Sequence, residues 1–193
     1  MTTRTAAALA AALATGLVAT GCSDYRASGG AGTAHQLELE RTALRQEADR
    51  VLAIFRRESP VVDVFLERAH GYAIFPRVTR GAAGVGAAHG RGVVYETGAL
   101  AGYAELYQAT LGVQLGGQSF HQLIFFEHAD VMRDFKRGDY QLSANASAVA
   151  VDQGEVVGND FRQGVAVFTI AESGLMFEAS VGGQRFEFTP VFR

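Results

Sequence analysis

The apolar positions of residues 35–58 recur at intervals of three, four and seven, the spacing of one face of a helix. This apolar stripe consists of Leu37, Leu44, Ala48, Val51, Leu52 and Phe55. At about 100° per residue, arginines lie along one flank of the stripe and glutamates along the other. The arginines are Arg41, Arg45 and Arg56, and the glutamates include Glu40 and Glu47. The pattern therefore predicts an amphipathic first helix with a basic edge.

A second, shorter helix is predicted directly after the first. Ser59 and Pro60 form a start signal, with a capping residue followed by proline at the first helical position. The helix should run from Val61 to about His70, where Gly71 ends it. The side chains expected to be buried are Val61, Val64, Phe65 and Ala69.

Beyond Gly71 the apolar period becomes that of strands. Strand-like runs occupy residues 72–76, 93–95, 103–106, 110–114, 122–126, 143–151 and 165–171, with a glycine-dense stretch at 81–92 between the first two. Residues 129–137 instead form an amphipathic helix, with Val131, Met132 and Phe135 inward and Gly138 just past its end. Residues 175–181 and 184–189 predict a hairpin around a Gly-Gly turn.

The predicted fold is α+β. Two N-terminal helices precede a curved, glycine-rich, mainly antiparallel sheet or barrel with one inserted helix. Glycine makes up 23 of 193 residues, about 12% against a usual value of about 7%. Glycine in strands allows sharp bends and close approach of the backbone, so this composition favours strong curvature.

The first residues have the pattern of a bacterial lipoprotein signal. Arg4 precedes an uncharged, alanine-rich run at 5–21, and small residues lead into Cys22, the single cysteine. We expect residues 1–21 to be removed, Cys22 to be diacylated, residues 22–34 to form a flexible tether, and residues 35–193 to form the domain. Plain secretion and an uncleaved membrane anchor are the alternatives. Because Ser23 follows the cysteine, the expected destination in a two-membrane host is the outer membrane, facing the periplasm.

Composition and motif spacing exclude several function classes. A net charge of −3 with 19% charged residues does not fit a basic nucleic-acid binder. The glycine-dense stretch lacks the lysine and the spacing of a phosphate loop. The five histidines show no helical metal-ligand spacing, and there is no G-x-S-x-G nucleophile motif. We therefore expect no enzyme activity, no cofactor and no metal.

Several short motifs follow one another along the chain. They are HGYAIFPRV at 70–78, GAAGVG at 81–86, GRGV at 90–93, GVQLGGQS at 112–119, NASAVA at 145–150 and GLM at 174–176. In this order they resemble the SYLF domain family. The resemblance covers about residues 36–191. It implies non-catalytic lipid binding, partly through an N-terminal amphipathic helix. The actin and phosphoinositide partners of eukaryotic members are not expected for a protein outside the cytoplasm.

Two arginine groups are candidates for contacting lipid headgroups, with anionic phospholipid as the expected partner. The first group is Arg77, Arg80 and Arg91, around the most recognisable family segment, and the alternative reading is ordinary surface charge. The second is the helix edge of Arg41, Arg45 and Arg56, although a helix docked on the sheet is favoured there. A rival hypothesis is an interaction module that binds an envelope protein partner. A weaker one is a carrier with one apolar ligand inside a barrel.

Overall fold

A computed structural model describes residues 29–139, 141–142, 150–152, 155–157, 161–171 and 183–191. Cys22, the predicted signal peptide and the predicted strands at 143–149 and 175–181 lie outside the described residues. The packing described below is that of the compact unit Leu39–Arg193. Among the described residues, the buried core side chains lie between Ala48 and Phe186.

The described residues form three helices, α1 (Gly29–Glu58), α2 (Val61–Arg68) and α3 (Ala129–Arg137). Helix α1 begins six residues before the predicted start at residue 35, inside the segment predicted to be a tether. No proline interrupts residues 29–34, so the helical hydrogen bonds can propagate toward the N-terminus. Helix α3 has the predicted bounds, and Gly138 follows it in the left-handed conformation with φ of 76°.

Seven strands follow the first two helices in the part of the chain that the structure describes. Their bounds are β1 (Gly71–Glu96), β2 (Ala99–Phe126), β3 (Gln141–Leu142), β4 (Ala150–Asp152), β5 (Glu155–Val157), β6 (Val165–Ala171) and β7 (Gln184–Pro190). The prediction of separate short strands between residues 72 and 126 was wrong, because the glycine-dense stretch continues the strand instead of breaking it. Strands β1 and β2 form one long antiparallel hairpin, closed by Thr97 and Gly98, both with positive φ. Positive φ at both central residues is the conformation of the type I′ turn, which matches the twist of the flanking strands.

Strand β2 organises the main sheet by pairing with three other strands. Its first edge pairs with β1, and its other edge pairs with β7 over residues 102–108 and with β6 over residues 120–126. Strand β3 pairs with β7, and β4 and β5 form a separate two-stranded sheet. Every one of these pairings is antiparallel, and the sheet formed by the described strands is not closed into a barrel.

Strand β1 doubles back on itself. The 18 residues from Ile74 to Gly92 would span about 60 Å in a straight strand. A Cβ atom on Gly92 would nevertheless lie only 2.8 Å from the carbonyl oxygen of Ile74 and 2.6 Å from a ring carbon of Phe75. Gly90 approaches the carbonyl oxygen of Arg77 in the same way, at 2.9 Å. Glycine is therefore required where the two halves of the strand touch, as its abundance predicted.

Strand β2 bends as well, around a buried cluster of three glutamines. The side chain of Gln184 on β7 bonds to both Gln122, at 2.8 and 3.1 Å, and Gln108, at 3.2 Å. Gln108 and Gln122 lie 14 residues apart on β2, about 45 Å in a straight strand. All three side chains are buried. Their mutual hydrogen bonds offset part of the cost of removing the amides from water, while the buried Nε2 of Gln108 has no hydrogen-bond partner among the described residues.

The main sheet buries apolar side chains on both of its faces. On one face, α1 and α2 contribute Ala48, Val51, Phe55, Val62 and Phe65, which pack with sheet residues such as Ile74 and Phe125. On the other face, Met132 and Phe135 of α3 pack with residues such as Phe75 and Phe186.

The inward face predicted for α3 is confirmed, since Met132 and Phe135 are buried and Val131 packs against the core. The face predicted for α2 was partly wrong. Val64 is exposed, and Val62 is buried together with Phe65. A spacing of three residues places Val62 and Phe65 on one side of this short helix, which turns Val64 outward.

The predicted fold class is confirmed. Two N-terminal helices precede a curved, mainly antiparallel sheet, and α3 is inserted between the strands. Of the two forms predicted for the strands, the described residues form the open sheet.

The close contact at Gly92 predicts a difference between two glycines of the same strand. Gly92→Ala should destabilise the fold by roughly 1–3 kcal/mol, because a backbone carbonyl cannot move away cheaply. Gly81→Ala is the matched control, since a Cβ there meets nothing within 4 Å among the described residues. Urea denaturation of both variants measures the effect. Equal midpoints for the two variants would contradict this account of the bend.

Candidate functional site

A β-bulge early in β1 determines which side chains face α1. Phe75 pairs with Gln122 and Val78 pairs with Phe120, so both Pro76 and Arg77 lie opposite the single residue His121. The Nδ1–H group of His121 donates a hydrogen bond to the Pro76 carbonyl. An extra residue in one strand reverses the alternation of side chains beyond it.

The reversal is visible in the packing on the two faces. Phe75 and Val78 belong to the same core cluster although they are three residues apart. Arg77 and Thr79 are exposed and line a groove together with residues of α1. In an unbulged strand, Arg77 would share the face of Phe75 and point into the apolar core.

The groove lies between α1 and β1 and has a volume of about 340 Å³. Helix α1 contributes Glu40, Leu44 and Glu47, and β1 contributes Arg77, Thr79, His89, Gly90 and Arg91. The volume is at the lower end of the range of small-molecule sites, about 300–1,000 Å³. Leu44 is the one large apolar side chain in this lining, so the groove suits a polar group.

Charges of both signs meet in the groove. Nη1 of Arg91 lies 3.3 Å from Oε2 of Glu40, and both side chains are nearly half exposed. Glu47 has no hydrogen bond or ion pair with any other described residue. Two guanidinium groups and two carboxylates therefore line the groove, so the charges of its arginines and glutamates balance.

The rim beside His89 carries a further carboxylate. Oε2 of Glu105 accepts a hydrogen bond from the Tyr107 hydroxyl at 2.5 Å and lies 3.2 Å from Nε2 of His89. These hydrogen bonds, the one from Tyr107 first, lower the pKa of Glu105. The same bond raises the pKa of Tyr107, because it holds the phenol proton. Glu105 is therefore ionised at neutral pH and adds negative charge at this edge.

The structure brings together two of the three arginines in the first predicted group. Arg77 and Arg91 line the groove, whereas Arg80 does not. The Arg80 side chain is 8% exposed, and its guanidinium carbon lies 5.4 Å from the centre of the Phe120 ring. Since Arg80 follows the bulge in phase with Val78, it faces the core side of the strand and cannot reach a headgroup in the groove.

The arginines of the second predicted group are separated along α1 and interact within the fold. The guanidinium carbon of Arg41 lies 5.0 Å from the centre of the Tyr103 ring. Arg45 donates a hydrogen bond to the Thr42 hydroxyl at 3.1 Å. Nε of Arg56 lies 2.6 Å from Oδ1 of Asp63, in an ion pair. The contact of Arg41 with Tyr103 of β2 supports the docked arrangement of the helix, which the sequence analysis favoured.

Sequence reasoning missed the groove's acidic half and His121. Glu40 and Glu47 were noted only as the flank opposite the arginines, and no pattern indicated that this flank faces β1. A signal did exist in β1, where Arg77 and Thr79, and likewise His89 and Arg91, are polar residues two positions apart. Such pairs lie on one face of a strand.

A second polar cluster fastens α3 to the end of β1. Nζ of Lys136 lies 2.7 Å from one oxygen of Glu96, and Nε2 of His70 lies 3.3 Å from the other. The hydrogen bond from Lys136 is the largest cause of a lowered pKa at Glu96, and the His70 contact adds to it. Each of these side chains is 28–29% exposed.

Among the described residues, no three histidine, cysteine, aspartate or glutamate side chains converge as a metal site would require.

The Glu96 cluster predicts a pH-dependent contribution to stability. The pKa of Glu96 is lower in the folded state than its ordinary value of 4.5. The contribution is therefore present above pH 4.5 and is lost as the pH falls through the folded-state pKa. Glu96→Gln should lower the free energy of unfolding by about 1 kcal/mol at pH 7, and it should change that free energy little at a pH below the folded-state pKa.

Urea denaturation across the acid range measures this effect, with Glu67→Gln on the exposed side of α2 as control. Glu67 makes no ion pair with another described residue, so its variant should follow the wild type at every pH. If Glu96→Gln lowers the free energy of unfolding by the same amount at every pH, the ion-pair account is contradicted.

Fold and groove together define this protein as an α+β domain with an open, charge-balanced groove between its first helix and its bent sheet.

No established family model matches the chain. The chain is similar to a protein described as "Beta cell expansion factor A" from Aeromonas veronii, with 24% identity over 151 residues. The match covers 76% of this chain and 56% of that protein, so the chain spans little more than half of the relative's length. No helix among the described residues has the length and apolarity needed to cross a bilayer.

Proposed function

We propose that this protein is a bacterial envelope lipoprotein, anchored through Cys22, whose SYLF-like domain binds phospholipid at a membrane surface without catalysis. The observation that carries the proposal is the meeting of Arg77 and Arg91 in an open groove. Guanidinium groups recognise phosphate through charge-assisted, often bidentate hydrogen bonds. Both arginines belong to or adjoin the segments that resemble the SYLF family.

The two membrane contacts in this proposal have different roles. The diacylated Cys22 would provide stable attachment by itself, because two acyl chains anchor far more firmly than one. The groove would then orient the domain or hold an individual headgroup. High intrinsic affinity is unnecessary for a site that is already held near its ligand.

The experiment is co-sedimentation of residues 23–193 with vesicles that contain both zwitterionic and anionic phospholipid. This chain lacks the acyl anchor and retains the whole described core. The double variant Arg77→Gln/Arg91→Gln should bind about thirty-fold more weakly than the wild type, because each arginine contributes about 1 kcal/mol near headgroups. Binding should also weaken as the salt concentration rises.

The matched control is Arg133→Gln/Arg137→Gln, which removes the same charge from the exposed side of α3. This control should bind like the wild type. A wild-type chain that binds no vesicle would contradict the proposal, leaving Cys22 as the predicted membrane contact and making an envelope protein the next partner to seek. If the two double variants lose vesicle binding equally, the domain is attracted by its overall charge and has no defined binding site.

A further inference from the structure

The charge pattern of the groove points to a more specific ligand than an anionic surface. Arg77 and Arg91 supply two positive charges, and Glu40 and Glu47 supply two negative charges in the same 340 Å³ space. A headgroup that carries only a phosphate would meet the carboxylates as well as the guanidinium groups. A ligand with charges of both signs, separated by a short linker, can satisfy both sets.

Glu47 is the residue that makes this pattern informative. Glu40 has a partner in Arg91, whereas Glu47 lines the groove without an ion pair or hydrogen bond to any other described residue. It is only partly exposed. A carboxylate that is partly withdrawn from water gains from a cationic hydrogen-bond donor. Arg77 and Arg91 lie on the facing strand. The cationic end of a ligand can therefore lie on the Glu47 side of the groove.

We propose that the groove binds the headgroup of a phosphoethanolamine lipid, with its phosphate at Arg77 and Arg91 and its ammonium at Glu47. This inference rests on the proposed phospholipid binding and replaces the expected anionic lipid with a zwitterionic one. A primary ammonium donates hydrogen bonds to a carboxylate, whereas the quaternary ammonium of phosphocholine has no N–H group to donate. The small volume and the single large apolar lining residue, Leu44, fit a headgroup whose acyl chains remain in the bilayer.

The experiment compares residues 23–193 on three kinds of vesicle. These are phosphatidylcholine alone, phosphatidylcholine with an equal part of phosphatidylethanolamine, and phosphatidylcholine with an equal part of phosphatidylglycerol. Binding should be strongest to the vesicles with phosphatidylethanolamine at physiological salt. Free phosphoethanolamine should release the bound protein, whereas the same concentration of inorganic phosphate should release much less.

Glu47→Gln tests the assignment of the ammonium site, because it removes the charge and preserves the shape. This variant should bind phosphatidylethanolamine vesicles about ten-fold more weakly than the wild type. It should retain or gain affinity for phosphatidylglycerol vesicles, since a repulsive carboxylate has been removed. Glu67→Gln on α2, the matched control, should leave both affinities unchanged.

The possible outcomes separate this inference from the proposed function. Strongest binding to phosphatidylglycerol, with Glu47→Gln increasing it, would overturn the zwitterionic ligand and leave phospholipid binding intact. A preference for phosphatidylethanolamine that Glu47→Gln and Glu67→Gln affect equally would overturn the site in the groove. Binding to none of the three vesicles would overturn both proposals.

Discussion

The close approach of the two halves of β1 is the constraint on which the rest of this structure depends. Gly90 and Gly92 lie against the backbone of Arg77 and Ile74, at distances that no side chain could occupy. That contact allows a hairpin of more than fifty residues to fold back and bury apolar side chains on both faces. Helices α1 and α2 cover one face, and α3 packs on the other. The position of α1 over β1 in turn creates the groove.

The arginines and the carboxylates of the groove are held in position for different physical reasons. Its arginines lie on β1, whose conformation is fixed by strand pairing and by the hydrogen bond between His121 and Pro76. Its carboxylates lie on α1, a helix held down by an apolar stripe that includes Ala48, Val51 and Phe55. Both charged sets are therefore placed by rigid elements, which reduces the ordering cost of binding a small ligand.

Sequence reasoning succeeded where a local pattern determines the structure. Helix α3 combines an apolar face with a glycine just after its last turn, and both its bounds and its buried residues follow from that pattern. Strand β6 is a continuous apolar run with the predicted bounds. The α+β class follows from such elements taken in order.

Sequence reasoning was wrong where distant contacts decide the outcome. The glycine-dense stretch at 81–92 looks like a break between strands, because the atoms that require glycine at positions 90 and 92 lie in the opposite half of β1 and not among their neighbours. Arg80 was grouped with Arg77, yet two residues three positions apart in a strand lie on opposite faces, and the bulge determines that Arg77 is the one that faces the groove. The acidic half of the groove was missed because a helical pattern identifies a polar flank without indicating which strand lies beneath it.

The bulge also couples chain length to residue type in this part of the molecule. A related chain of the same length without the bulge, with Phe75 still opposite Gln122, would place its counterparts of Thr79 and Arg91 on the other face of the strand. Such a chain could keep this groove only by exchanging polar and apolar residues along the following strand. Related proteins without the bulge should therefore carry the groove only if they lack one residue before Val78 or reverse the polar pattern beyond it, even when their overall similarity is low.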